Sequence, residues 1–88
     1  MKYPNNFLKY IHMIENNNAE IYLKPRYEKA ALFGINEPTY KNILCGNIPA
    51  SLKVRKKIIV KLRELLNDPS IIEADVFPNE INTPQGVK

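Results

Sequence analysis

Residues 30–46 read AALFGINEPTYKNILCG. A short apolar run ends in Gly34-Ile35, and a second short helical pattern begins at Asn36 and stops at Gly46. Gly34 supplies the turn, because a positive φ costs glycine little. Asn36 can cap the second helix, Glu37 suits the positive end of its dipole, and Pro38 is tolerated so early in a helix. Tyr40, Ile43 and Leu44 sit three and four apart, so they should face a core. Thr39, Lys41, Asn42 and Cys45 are left outward or at the margins. Gly46 is placed to close the helix as a left-handed cap. The stretch is two brief helices joined by a tight, glycine-bearing turn, a helix-turn-helix unit.

Upstream, a helix is expected within residues 1–18. Pro4 suits its start, Asn5 or Asn6 its cap, and Phe7, Leu8, Ile11 and Ile14 fall on one face. His12 lies one step off that stripe and reads as a surface or boundary residue. Asn16, Asn17 and Asn18 end the helix, since asparagine side chains compete for backbone hydrogen bonds. Residues 19–24, AEIYLK, alternate like a short strand but suit an irregular connector equally. Pro25 then opens a helix over 25–33 that packs Tyr27, Ala30, Ala31 and Phe33. Downstream, residues 47–50 form a loop and Ser51 caps the strongest helix, running to about Asn67. Its apolar face is Leu52, Ile58, Ile59, Leu62, Leu65 and Leu66. Residues 70–77, SIIEADVF, read as a short helix packing Ile71, Ile72 and Phe77, or as a terminal strand. The expected organisation is one all-α domain of four to five helices over residues 1–77, with a flexible polar tail over 78–88.

Eighty-eight residues make one domain with a modest core. Net charge is +4, but its distribution says more. Residues 24–63 hold Lys24, Arg26, Lys29, Lys41, Lys53, Arg55, Lys56, Lys57, Lys61 and Arg63 against only Glu28 and Glu37. After them come Glu64, Asp68, Glu73, Asp75 and Glu80 against Lys88. A basic middle and an acidic end suggest a polyanion-facing surface with a tail kept off it. The single Cys45 excludes an internal disulfide or a Cys-rich zinc site. No apolar run approaches the roughly twenty residues needed to span a bilayer. One histidine and one cysteine far apart, with no phosphate-cradling glycine loop, offer no catalytic constellation and call for no cofactor. The expectation is a cytoplasmic protein, not an enzyme.

The stretch at residues 30–46 resembles the helix-turn-helix of lambda-repressor-like proteins, the Xre/Cro family. Ala30 stands at the family's small-residue position, where the two helices touch, and Gly34 at its turn glycine. Ile35, Tyr40 and Ile43 match three buried positions, and Gly46 the glycine that ends the recognition helix. Pro49, Ser51 and Leu52 echo the approach to the next helix, with Ala50 as one extra residue. The resemblance covers about residues 26–66. Two departures stand out. Lys29 replaces a usual apolar residue, so the helix carrying it should be shifted or weakly packed, and the connector over 16–24 leaves room for an extra element. The LacI-type headpiece is similar at Gly46 and at SLKVRKKI, though its usual sugar-binding domain has no counterpart here.

Both resemblances imply binding to double-stranded DNA. The major groove presents a distinct donor and acceptor pattern for each base pair, and a helix fits it. The residues implied to read bases are Glu37, Pro38, Lys41 and Asn42, with Asn36 and Thr39 at the edge. Lys41 can donate to guanine, Asn42 can pair with adenine, and Glu37 can accept from cytosine. Phosphate contacts would come from Arg26, Tyr27, Asn47, Ser51, Lys53, Arg55, Lys56 and Lys57. The implied protein is a dimeric, nucleoid-associated transcriptional regulator of prokaryotic or phage type. Its expected dimer surface is the end of the long helix with exposed Ile71, Ile72 and Phe77. Two other functions fit the same fold: a protein-interaction module such as an antirepressor or antitoxin, whose C-terminal segment binds a partner, and an architectural or recombination-accessory protein.

Overall fold

Six helices follow one another in the computed structural model, which describes residues 2–78: α1 Phe7–Asn17, α2 Ala19–Leu23, α3 Arg26–Leu32, α4 Glu37–Leu44, α5 Leu52–Leu66 and α6 Glu73–Val76. The described residues contain no strand. None of their helices is long and apolar enough to cross a membrane. The polar tail expected from Pro78 lies, beyond that residue, outside the described residues.

Each helix begins and ends where local chemistry dictates. Asn18, Asn36 and Ser51 cap α2, α4 and α5, their side-chain oxygens accepting from the N–H of Ile21, Thr39 and Val54 at 3.2, 2.9 and 3.3 Å. Helices α3 and α4 close alike. Gly34 (φ +70°) and Gly46 (φ +71°) take the left-handed conformation. Behind them Ile35 N–H donates to Ala30 O at 3.2 Å and Asn47 N–H to Asn42 O at 2.8 Å, the Schellman arrangement. Asn67 ends α5 in the same conformation, at φ 52°.

The core gathers Phe7, Ile11 and Ile14 from α1, Ala30 and Phe33 from α3 and its end, and Tyr40 and Ile43 from α4. Ile58, Ile59 and Leu62 join from α5, with Ile71, Val76 and Phe77 from the C-terminal segment. At its centre Phe7 meets three rings. Phe33 and Tyr40 approach edge-on at 5.2 and 5.7 Å, and Phe77 is tilted at 6.2 Å. Such pairs add roughly 0.5–1.5 kcal/mol each beyond their buried area.

Several expectations change. Residues 19–24 are neither strand nor irregular connector: Asn18 nucleates a five-residue helix. Only Ile21 of it is buried, and Leu23 is exposed. Residues 70–77 contain α6, not a strand, so the helices among the described residues number six rather than four or five. Ile71 and Phe77 are not exposed; the chain's own core takes both, and only Ile72 faces out. Tyr27 and Ala31 are exposed: α3 and its end bury Ala30 and Phe33, with Leu32 partly buried beside them. Leu52 is likewise exposed. Helix α1 starts at Phe7, and residues 2–6 form a strap instead. Its Lys2 and Tyr3 N–H groups donate to Gly46 O at 3.1 and 2.8 Å. Asn5 Nδ2 donates to Ile43 O at 2.9 Å. Asn6 donates through its backbone N–H to Val76 O at 2.7 Å and through Nδ2 to Asp75 O at 2.8 Å.

The substitution Phe7→Ala removes the α1 ring on which three other segments converge. It should cost about 3–5 kcal/mol, read as a lowered midpoint in urea unfolding followed by circular dichroism. A change below about 1 kcal/mol would remove Phe7 from the centre of the fold.

Candidate nucleic-acid interface

Helix α4 turns Tyr40 and Ile43 inward and leaves Glu37, Pro38 and Lys41 exposed, with Thr39 and Asn42 half-buried. The outward residues fall at helical spacing opposite the buried pair. Asn36 spends its side-chain oxygen on the cap. Asn42 Oδ1 accepts from Asn47 Nδ2 at 3.5 Å, so the loop after α4 lies beside the helix's outward edge. The strap residues that bond Ile43 O and Gly46 O satisfy carbonyls at the C-terminal end of α4, which helix geometry leaves open.

The basic side chains divide by their partners. Lys24, Lys29, Arg55 and Lys61 each meet a carboxylate: Glu28, Glu15, Glu73 and Glu64. Among the described residues Arg26, Lys41, Lys53 and Lys56 carry no ion pair, and neither do Lys2 and Lys9. Arg26 opens α3, with Tyr27 exposed beside it. Asn47 and Ser51 are exposed in the loop before α5, and the Ser51 hydroxyl caps that helix. Lys53 and Lys56 are exposed on its first turns. Lys57 Nζ donates to Gly34 O at 3.2 Å and so ties α5 to the α3–α4 turn. Arg55 differs from the rest of the expected phosphate set. Its Nη1 donates to Ala50 O at 2.7 Å and its Nε to Glu73 Oε1 at 3.1 Å, leaving the side chain 12% exposed. It braces the approach to α5 against α6.

Two residues absent from the expected set tie neighbouring helices together. Lys29, the departure inside α3, is half-buried and paired. Its ammonium donates to Glu15 Oε2 of α1 at 2.7 Å, with both side chains largely buried. The Tyr22 ring lies 6.0 Å away, at the outer reach of a cation–π contact. An ion pair thus replaces the apolar contact expected there. Nothing local in the sequence marks it, because the partners are 14 residues apart. Glu73, the carboxylate that engages Arg55, is equally silent.

Tyr40 lies against the same ion pair. Burial first, then the Glu15 carboxylate, push its phenol up from its ordinary value of 10.0 to about 12, while Arg26 pulls the other way. No group of His, Cys, Asp and Glu among the described residues is arranged to hold a metal. No protein-family model, curated protein or solved structure matches the chain.

Removing one partner of the α1–α3 pair leaves a largely buried charge alone. Lys29→Ala should therefore destabilise by about 1–3 kcal/mol, whereas the double change Glu15→Leu with Lys29→Leu should lie within about 1 kcal/mol of the parent. Urea unfolding of the three proteins decides it, and equal losses in both variants would deny the pair its bracing role. Tyr40 supplies a second test. Its folded pKa exceeds its unfolded one, so its contribution is complete below pH 10 and is lost as pH rises toward 12. The urea midpoint should fall across that window, and less steeply in Tyr40→Phe.

Proposed function

We propose that the chain binds double-stranded DNA in a sequence-specific manner and regulates transcription, as a prokaryotic or phage repressor-like protein would. Helix α4 is the recognition helix, laid in the major groove with Lys41, Asn42 and Glu37 toward base edges and Pro38 and Thr39 beside them. Asn36 serves this reading as the cap that starts α4 and not as a base reader. Phosphate contacts fall to Arg26, Tyr27, Asn47, Ser51, Lys53, Lys56 and Lys57. Arg55 leaves that set, since its guanidinium is engaged inside the protein.

One observation carries the proposal. Among the described residues Lys41 on α4, Arg26 at the start of α3 and Lys53 and Lys56 on the first turns of α5 carry no ion pair, whereas four other cations are neutralised by carboxylates. Unpaired, exposed cations are available to replace the counterions of a phosphate backbone. The proposed assembly is a homodimer on two half-sites one helical turn apart. Ile71 and Phe77 are taken by the core, so two copies would meet through other residues. In a cell such a protein works at the nucleoid.

A protein-interaction module on the same fold is the reading against which this one is tested. Selection from random duplexes, followed by sequencing, should return a palindromic motif. On the selected duplex, Lys41→Ala with Asn42→Ala should lower affinity about 10- to 100-fold, with a much smaller loss on unrelated duplexes. Lys53→Ala with Lys56→Ala should weaken both and reduce the salt slope by about one per lost contact. Unchanged affinity in the Lys41/Asn42 variant at moderate salt would end the recognition assignment. Absence of duplex binding even at low salt would transfer the function to the interaction module.

A further inference from the structure

A second surface lies on α5, away from the residues assigned to base recognition. Val60 sits in the middle of this 15-residue helix and is 61% exposed, and Ile72, before α6, is 51% exposed. Two open hollows adjoin there. One, of about 620 Å³, has Ile59, Val60, Ile72 and Ala74 for its apolar floor. The other, of about 540 Å³, lies between α5 and the end of α3, over Ala31 and Leu32. Val60 and Lys56 line both, so the hollows flank one side-chain row. From Lys56 to Arg63 this row spans about two helical turns.

The rim is charged, and unevenly so. Lys56, Lys57, Lys61 and Arg63 stand against Glu64 and Glu73. Both carboxylates are already engaged, Glu64 by Lys61 at 2.8 Å and Glu73 by Arg55 at 3.1 Å. Among the described residues Lys56, Lys57 and Arg63 have no carboxylate partner; Lys57 Nζ donates to Gly34 O at 3.2 Å and Arg63 Nε to Ile71 O at 2.7 Å, contacts that leave their charge uncompensated.

We infer that the Val60 face of α5 docks an acidic amphipathic helix of a partner protein. The apolar floor takes anchors spaced three and four residues apart, the pattern of helix-in-groove recognition, while the basic rim takes flanking Asp and Glu. The charge balance selects this occupant over three others. A second copy across a two-fold axis would set the same patch against itself, bringing Lys56, Lys57 and Arg63 toward their own counterparts. The chain's residues 79–88 carry Glu80 and Lys88 and offer no acidic excess. A nucleic-acid backbone answers the rim but leaves Val60 and Ile72 without apolar contact. The inference does not rest on the DNA-binding proposal, although Lys56 and Lys57 belong to both surfaces.

The test is selection of displayed random peptides of about fifteen residues against the full chain, with Val60→Glu as the counter-selection. Position 60 is exposed, so the variant should fold, which circular dichroism and urea unfolding verify; Ile72→Glu is the second variant. Enriched peptides should carry apolar residues three and four apart, flanked by Asp and Glu. A synthetic peptide of their consensus should bind at least about tenfold more weakly to Val60→Glu and to Ile72→Glu. Lys56→Glu and added salt should weaken it too, and Lys41→Ala with Asn42→Ala should leave it unchanged. The inference is overturned if nothing enriches, if the enriched peptides are neutral or basic, or if the consensus peptide binds Val60→Glu as well as the parent. Sedimentation equilibrium covers the remaining occupant: a dimer that Val60→Glu converts to monomer would assign the face to a second copy. Duplex binding, measured on the same variants, is scored separately, so either proposal can fail alone.

Discussion

Everything in this fold depends on the Phe7 ring. Phe33, Tyr40 and Phe77 reach it from the end of α3, from α4 and from the residue after α6. Phe33 and Tyr40 also stack on each other at 6.2 Å. A chain of this size buries a small core, so concentrating aromatic area at one point does what a larger protein spreads over many contacts. The consequence falls on α4. An eight-residue helix has no appreciable stability alone, because nucleation is costly and short helices do not recover it. Helix α4 persists because Tyr40 and Ile43 are locked into the core, and because the strap of residues 2–6 bonds carbonyls at its end. Its outward residues are thus displayed on a rigid mount.

Charge is organised by the same economy of parts. The raw count of basic residues suggests a uniformly cationic middle, yet tertiary contacts divide it. Lys29 and Arg55 face inward and act as struts, one joining α3 to α1 and the other bracing the start of α5 against α6. Lys61 and Lys24 are neutralised on the surface by carboxylates three and four residues away, pairs worth only a few tenths of a kcal/mol. A basic residue inside a largely buried pair contributes little to the field outside, whereas an unpaired one at a helix start contributes fully. The surface potential is therefore set by a minority of the cations, and neither their number nor the net charge identifies them.

What could be read from the sequence was whatever depends on neighbours in the chain. Helical periodicity placed α1, α4 and α5 within a few residues, and the caps at Asn36 and Ser51 and the closures at Gly34 and Gly46 followed from backbone chemistry alone. Failures came where a distant partner decides. AEIYLK alternates like a strand, and only the Asn18 cap and the docking of Ile21 make it a helix. Ile71 and Phe77 look like surface in a short terminal segment until Phe7 and α5 are placed beneath them. Lys29 looked misplaced because Glu15 lies on another helix, and Arg55 looked free because Glu73 is 18 residues away. The outward faces of the candidate site were legible as the complement of the buried ones; which of their cations are free was not.

The two proposed surfaces are not electrically separate. Lys56 and Lys57 belong both to the phosphate-contacting set and to the rim of the Val60 groove. An acidic helix seated on that rim would neutralise the same charges that a phosphate backbone requires, and the two ligands would then oppose each other by a coupling free energy that is necessarily reciprocal. No conformational change is needed for this, only shared cations and the screening length of the solvent. Lys41 stands on a different helix, so the loss would fall on the sequence-independent part of DNA binding and leave base discrimination largely intact. A partner acting this way would weaken residence on DNA without altering which sequence is preferred. The pairing of Arg55 with Glu73 sharpens the point: with that guanidinium withdrawn into the protein, Lys53 is the cation left on the first turns of α5 that belongs to the phosphate set alone.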